Sequence, residues 1–142
     1  MFKGLKSKLG GSAKRLSGRT DLLEAICAAS ALVAAADGSV DDSEIDAAIK
    51  SVTSNESLNT AFSNTEITGC IEKMLDRAAG GRVGRRALMK EIEDVQASAD
   101  EGEIVLLTAL DIADADGEID DKERKVLDDI ASVFGLKVSN YE

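Results

Sequence analysis

One nine-residue segment occurs twice in this chain, and it limits the possible folds more than any other feature. Residues 36–44 read ADGSVDDSE and residues 115–123 read ADGEIDDKE, so the two share the pattern A-D-G-x-[VI]-D-D-x-E. Each copy follows an alanine-rich apolar segment and precedes one with apolar residues at helical spacing. The repeat therefore predicts two helix–turn–helix hairpins in a pseudo-symmetric pair.

Helix capping accounts for much of the repeated pattern. The glycine suits the positive φ needed just past a helix end. The first aspartate of the DD pair is placed as an N-cap, and the glutamate three residues later completes a capping box. These pairs are Gly38 and Gly117, Asp41 and Asp120, and Glu44 and Glu123. In the first copy Val40 can also form a hydrophobic staple with Ile45, whereas Arg124 takes the equivalent place in the second copy.

Helix signals continue along the rest of the chain, and strand signals are nearly absent. The predicted starts are a Thr20 cap and two capping boxes, Ser63 to Glu66 and Ser98 to Glu101. A short helical turn is expected near residues 54–62, a helix over 82–97, and a Schellman motif at Gly135 and Leu136. With no proline in the sequence, these signals predict an all-α fold, a compact bundle of about seven helices spanning residues 20–142.

The charge of the chain is strongly uneven. The formal net charge is −10, yet the first twenty residues carry basic side chains and no acid: Lys3, Lys6, Lys8, Lys14, Arg15 and Arg19. The remaining body is therefore more acidic than the whole, so we expect it to repel nucleic acid and to attract cations or basic partners. The absence of histidine excludes Ser-His and Cys-His nucleophiles and Cys2His2 zinc sites.

Residues 1–19 are predicted to form a separate basic arm. Phe2, Leu5 and Leu9 lie at helical spacing among lysines, which is typical of a short amphipathic segment with weak affinity for anionic membranes. A loosely docked arm and an arm packed on the acidic body of a neighbouring subunit are the alternatives. Because no secretory signal or spanning apolar run is visible, the expected location is the cytoplasm, with peripheral membrane contact through the arm.

Two further groups of residues need an explanation. Arg82, Arg85 and Arg86 crowd the start of a predicted helix, where positive charge opposes the helix dipole. We favour pairing with the acidic body over an anion or partner contact. Cys27 and Cys70 lie in apolar helical patterns far apart in sequence; buried free thiols are expected, and pairing requires the fold to bring them together.

Carboxylates beyond those used for capping point to a cation. Asp37, Asp111, Asp114 and Asp116 fall near helix ends, where the dipole disfavours negative charge unless the group is solvated or binds a cation. Such oxygen ligands suit Ca²⁺, Mg²⁺ or Mn²⁺, although an exposed acidic rim is the alternative. An EF-hand is not expected, because the first position of its loop, normally an aspartate, would be Ile112 here.

The alanine-rich helices, each followed by D-G-x-[VI]-D-D-x-E in a small acidic all-helical chain, resemble the TerB-like family of tellurite-resistance proteins over about residues 20–137. The resemblance implies a bundle of about seven helices without catalytic activity, linked to tellurite and other chemical stress and to phage defence. It also implies membrane-bound protein partners and divalent-metal sites in the repeated turns. The corresponding positions here are Asp37, Asp41, Glu44, Asp116, Asp120 and Glu123.

Two functions from different classes follow as hypotheses. The first is a non-enzymatic TerB-like interaction module that uses its acidic turns to bind a partner and a divalent cation. The alternative is a structural or accessory component of a phage or other oligomeric assembly, in which the basic arm contacts the acidic body of the next subunit. An enzyme is the weakest reading, because paired carboxylates need a cleft and one raised pKa for acid–base work.

Overall fold

The computed structural model describes residues 16–38, 40–95, 99–115 and 117–141, the side chain of residue 99 excepted. Within these ranges the chain forms seven α-helices and no strand, so the all-α prediction is confirmed. The helices are α1 Thr20–Ala34, α2 Asp42–Thr53, α3 Glu56–Ala61, α4 Asn64–Ala78, α5 Gly81–Glu93, α6 Ala99–Ala115 and α7 Asp121–Val133. A 3₁₀ turn follows at Val138–Tyr141.

Helix α1 is the centre of the bundle. It packs most extensively against α4, α5 and α6 and also contacts α2 and α7. Its residues are buried from Leu22 to Val33, except Glu24. Ala25, Ala28 and Ala29 are fully buried on it, and side chains this small let neighbouring helices approach closely on several sides.

Three helices start as their sequences predict. Asp41, Ser63 and Asp120 each accept a hydrogen bond from the backbone N–H three residues later, and the glutamate there accepts one in return. The Schellman motif at the end of α7 is also confirmed, with the Leu136 N–H donating to the Ala131 carbonyl at 2.9 Å. These ends form as predicted because residues a few positions apart satisfy one another's hydrogen bonds.

The predicted Thr20 cap is wrong. Thr20 is the first residue of α1, Arg19 holds the N-cap position, and no side chain caps the helix. Instead the Arg19 guanidinium donates to the two carboxylate oxygens of Asp21 at 3.0 and 2.9 Å and also pairs with Glu101 on α6. The hydrogen bond from Arg19 keeps the pKa of Asp21 below its ordinary value. The pair between Arg19 and Glu101 ties the start of α1 to α6, a contact that no local pattern encodes.

Some sequence predictions lie wholly or partly outside the described residues. These are residues 1–15 of the basic arm predicted over residues 1–19, the start of the capping box at Ser98, and the candidate metal ligand Asp116. Residues 16–19 of the predicted arm are described, and Leu16 among them is fully buried in the hydrophobic core.

The two hairpins of the repeat lie side by side. Because Arg19 beside α1 pairs with Glu101 in the first turn of α6, the starts of these two helices lie together. Their carboxyl ends lie together as well, since side chains of α1, α2, α6 and α7 line one small cavity formed by Val33, Ala48, Ala109, Ile112 and Glu123 among others. Helices α1 and α6 therefore run in the same direction, and the two turns lie at the same end of the bundle.

Candidate functional site: an acidic cleft between the two turns

The two repeated turns meet around one cleft of about 320 Å³. Part of its lining is apolar and consists of Val33, Ala34, Ala36 and Ala47. Its polar lining consists of five carboxylates and one hydroxyl: Asp37, Glu44, Glu118, Asp120, Glu123 and Ser43. No lysine or arginine of the described part of the chain lines it, so these residues concentrate negative charge from both copies of the repeat.

Backbone geometry aims both turns at this cleft. Gly38 has φ of 100° and Gly117 has φ of 122°, as predicted, and L-residues with a side chain rarely adopt such angles. At each glycine the chain leaves its alanine-rich helix and soon starts the next one. The first turns of α2 and α7 thereby place Glu44 and Glu123 on the walls of the cleft.

In the first copy, capping organises the carboxylates. Asp41 Oδ1 accepts from the Glu44 N–H at 2.8 Å and from the Ser43 hydroxyl at 2.7 Å, while Glu44 Oε1 accepts from the Asp41 N–H at 3.2 Å. The Glu44 N–H, followed by the Ser43 hydroxyl, lowers the pKa of the Asp41 carboxyl, because both donors stabilise its charged form. Capping uses one oxygen of Glu44, so its other oxygen remains for a ligand.

The second copy repeats this arrangement with one difference. Asp120 Oδ1 accepts from the Glu123 N–H at 2.8 Å, and Glu123 Oε1 accepts from the Asp120 N–H at 3.0 Å. The position of Ser43 is taken here by Lys122, which does not line the cleft. Asp120 itself lines the cleft, whereas its counterpart Asp41 does not. The second turn therefore brings its cap residue to the cleft together with Glu118.

The predicted metal residues fall into three groups. Four of them line the cleft together: Asp37, Glu44, Asp120 and Glu123. Asp41 caps α2 and is not among the lining residues, and Asp116 lies outside the described residues. Sequence reasoning missed Glu118 as a lining residue of the cleft, because it stands at a variable position of the repeat. Its place in the turn, between Gly117 and Ile119, was the signal that could have identified it.

Asp111 has a structural partner away from the cleft. Its Oδ2 accepts from the Asn55 Nδ2 at 3.1 Å, and the buried Asn55 uses its Oδ1 to accept from the Leu58 N–H at 3.1 Å. Partial burial, followed by the nearby charge of Asp114, raises the pKa of the Asp111 carboxyl. This helix-end carboxylate therefore fixes α6 against the start of α3, which explains its position without a cation.

The cleft is open and does not form a closed metal cage. Among the residues that the structure describes, no three Asp, Glu, Cys or His side chains come close enough together to hold a metal ion. Asp37, Glu118 and Asp120 are exposed, and Glu44 and Glu123 are half-buried. The arrangement can attract a cation through summed charge, and it leaves room for that cation to keep bound water.

A basic corner joins α4 to α5. Arg86 pairs with Glu93 of its own helix at 3.1 Å, so the predicted pairing with an acid is found for this residue. Arg82 and Arg85 form no ion pair with any described residue, and beside them Val83 is 83% exposed. The positive charge of this corner contrasts with the acidic cleft.

A comparison with known protein families fits this architecture. The family model described as Tellurite resistance protein TerB matches residues 23–142. The chain belongs to the TerB family. The matched segment includes both repeated turns, so the acidic cleft is part of the TerB domain. No curated protein and no solved structure matches the chain significantly.

Over the described part of the chain, no helix of this TerB domain combines the length and the apolar character that crossing a bilayer requires.

Proposed function

We propose that this TerB domain is a cytoplasmic, non-enzymatic interaction module of the tellurite-resistance and chemical-stress class, and that its acidic cleft binds a divalent cation. One observation carries the proposal: two turns far apart in sequence converge so that, among the residues that the structure describes, five carboxylates and no basic side chain line one cleft of about 320 Å³. Capping alone does not require this convergence, since each turn could cap its helices at a separate end of the molecule.

Electrostatics favours a hard divalent cation as the ligand. Like charges in a cleft sum their potentials and raise the local concentration of cations. Carboxylate and hydroxyl oxygens are ligands for Mg²⁺, Mn²⁺ and Ca²⁺. Because no three described acids converge on one point, the cation that fits best keeps several of its waters and contacts one or two carboxylates, as Mg²⁺ commonly does.

A protein partner is the second component of the proposal. A basic segment of a membrane-associated protein would complement the same cleft, and such complementarity mainly accelerates association and selects the partner. A cation bound in the cleft would lower its charge, so cation and basic partner would compete for it.

The chemistry of the cleft supports a binding role over a catalytic one. Carboxylate acid–base catalysis requires one carboxyl group held protonated by burial, whereas Asp37, Glu118 and Asp120 are exposed. Among the described residues that line the cleft, Ser43 supplies the hydroxyl, and it donates its hydrogen bond to the carboxylate of Asp41, an arrangement that serves to cap α2.

Calorimetric titration of the full chain with MgCl₂, MnCl₂ and CaCl₂ tests the cation. We expect saturable binding in the wild type and about tenfold weaker binding in Glu44→Gln/Glu123→Gln, because cation affinity depends on the number of charged ligands. Glutamine also serves at the third position of a capping box. The double variant therefore removes charge from the cleft while it keeps the helix starts.

A matched control separates local from global charge. Glu66 has the same capping role at the start of α4 and does not line the cleft, and Glu72 is exposed on that helix. Glu66→Gln/Glu72→Gln therefore removes the same charge and should bind cations like the wild type. Equal weakening in both double variants, or neither heat nor a change in melting temperature at millimolar metal, would overturn the proposal.

A further inference from the structure

The fold brings the two cysteines of the chain together. Cys27 lies in the middle of α1 and is fully buried, and Cys70 lies in the middle of α4 and is half-buried. Both are free thiols, and they face each other where α1 packs extensively on α4. The sequence left this contact open, because it depends on how two separate helices pack.

The register of α1 and α4 accounts for the contact. One turn away from the cysteines, Lys73 Nζ on α4 lies 3.5 Å from Glu24 Oε2 on α1. A step of three residues forward along α1 and three backward along α4 leads from this ion pair to Cys27 and Cys70, as expected for antiparallel helices. The small residues Ala28 and Ala31 on α1 are fully buried and permit the close approach.

The surroundings give the two thiols different character. The neighbouring thiol of Cys27 lowers the pKa of Cys70, and the nearby charge of Lys73 acts in the same direction, while partial burial and the charges of Glu24 and Glu91 oppose it. The pKa of Cys27 is raised, first by its contact with Cys70 and then by burial. Cys70 is therefore the thiol that ionises more readily and that solvent can reach.

We propose that Cys27 and Cys70 form an oxidisable dithiol site that reacts with a hydroperoxide at Cys70 and closes to a disulfide between α1 and α4. The Cys70 thiolate attacks the peroxide O–O bond, which breaks to give Cys70 sulfenic acid and, after protonation, one water. The Cys27 sulfur then attacks the sulfenic sulfur, and the displaced hydroxide leaves as a second water with the thiol proton. Two thiols are oxidised by two electrons, and one hydrogen peroxide is reduced to two waters.

This site is independent of the proposed cation site. Neither cysteine lines the acidic cleft, so loss of cation binding would leave the dithiol unaffected and the reverse also holds. The two thiols have separate roles: Cys70 reacts first because a partly exposed thiolate is the nucleophile, and the fully buried Cys27 resolves the intermediate.

The test treats the reduced full chain with hydrogen peroxide and follows it by intact mass and peptide mapping. In the wild type we expect loss of two hydrogens and a peptide pair joined through Cys27 and Cys70. In Cys27→Ala, dimedone should trap a sulfenic acid on Cys70. In Cys70→Ala, the remaining buried Cys27 should react at least about tenfold more slowly than Cys70 does in the wild type.

Three results would overturn the proposal. They are a wild-type product without the Cys27–Cys70 linkage, equal oxidation rates in the two single variants, and a disulfide that forms only between chains. Peptide mapping of the wild type needs no substitution, so it decides the matter even if a cysteine variant fails to fold. Alanine is chosen at position 27 because α1 is already rich in buried alanine.

Discussion

The two repeated turns, here called the acidic corners, and the basic corner between α4 and α5 differ in how they use glycine. A Cβ atom built on Gly38 or Gly117 meets no atom within 4 Å, but both residues have positive φ. In the corner between α4 and α5, a Cβ on Gly84 would lie 1.7 Å from the carbonyl oxygen of Arg77. The acidic corners need a backbone angle alone, whereas the basic corner needs such an angle at Gly81, where φ is 71°, and also close contact between two backbones at Gly84.

The same contrast holds for the helix starts. Asp41 and Asp120 cap α2 and α7 through complete capping boxes, while α5 starts at Gly81 with no side-chain cap. The acidic corners are thus specified by nearby residues and can carry spare carboxylates. The basic corner is specified by tight packing of α4 on α5. Four predictions test this difference, starting with the largest expected effect.

Gly84→Ala should lower the free energy of unfolding by about 3 kcal/mol or more, because α4 and α5 would have to separate to admit the methyl group. Urea denaturation measures the loss. The control is Gly69→Ala on α4, where a Cβ meets nothing within 4 Å and helix propensity should add about 0.5 kcal/mol of stability. Similar stabilities for the two variants would contradict the packing explanation.

Gly38→Ala and Gly117→Ala should each cost about 1 kcal/mol, because alanine resists positive φ even where space is open. The same denaturation experiment applies. A loss as large as that of Gly84→Ala would show that close contacts, and not the backbone angle, fix the acidic corners as well.

Asp41→Ala and Asp120→Ala should each lower the melting temperature at neutral pH through loss of the cap, by less than the glycine substitutions do. For Asp41 the cost should also depend on pH. Its folded pKa lies below the ordinary value of 3.8, so its contribution is complete above that value and disappears as the pH falls through the folded pKa. Melting temperatures of wild type and Asp41→Ala should therefore converge in acid; a constant difference would refute the assignment.

Arg124→Ala should have the smallest effect, a loss of roughly 0.3–0.5 kcal/mol. Arg124 Nε lies 3.6 Å from Asp128 Oδ1, one turn along α7, and both side chains are partly exposed. Arg124 stands at the position of the second copy that Ile45 has in the first, and Ile45 packs on the core there. High salt should abolish the effect, and the exposed neighbour Lys125 provides the control substitution. A loss that persists in high salt would mean that Arg124 acts by packing, as Ile45 does.

Sequence reasoning succeeded where the determining residues are close together along the chain. The three confirmed capping boxes join residues three positions apart, and the Schellman motif at Gly135 spans a similar distance. It was wrong at Thr20, because Glu101 from α6 binds Arg19 and holds the start of α1 in place. It also missed Glu118, because the residue type at this position differs between the two copies.

The sequence by itself determined the helical composition, the form of both acidic corners and the family to which the chain belongs, because helix propensity and capping act within a few residues. Tertiary structure alone decided that the two corners share one cleft, that Cys27 meets Cys70, and that Gly84 touches the backbone of α4. These contacts follow from the packing of α1 against its neighbours. Packing depends on side chains brought together from distant parts of the chain, and local spacing does not encode that.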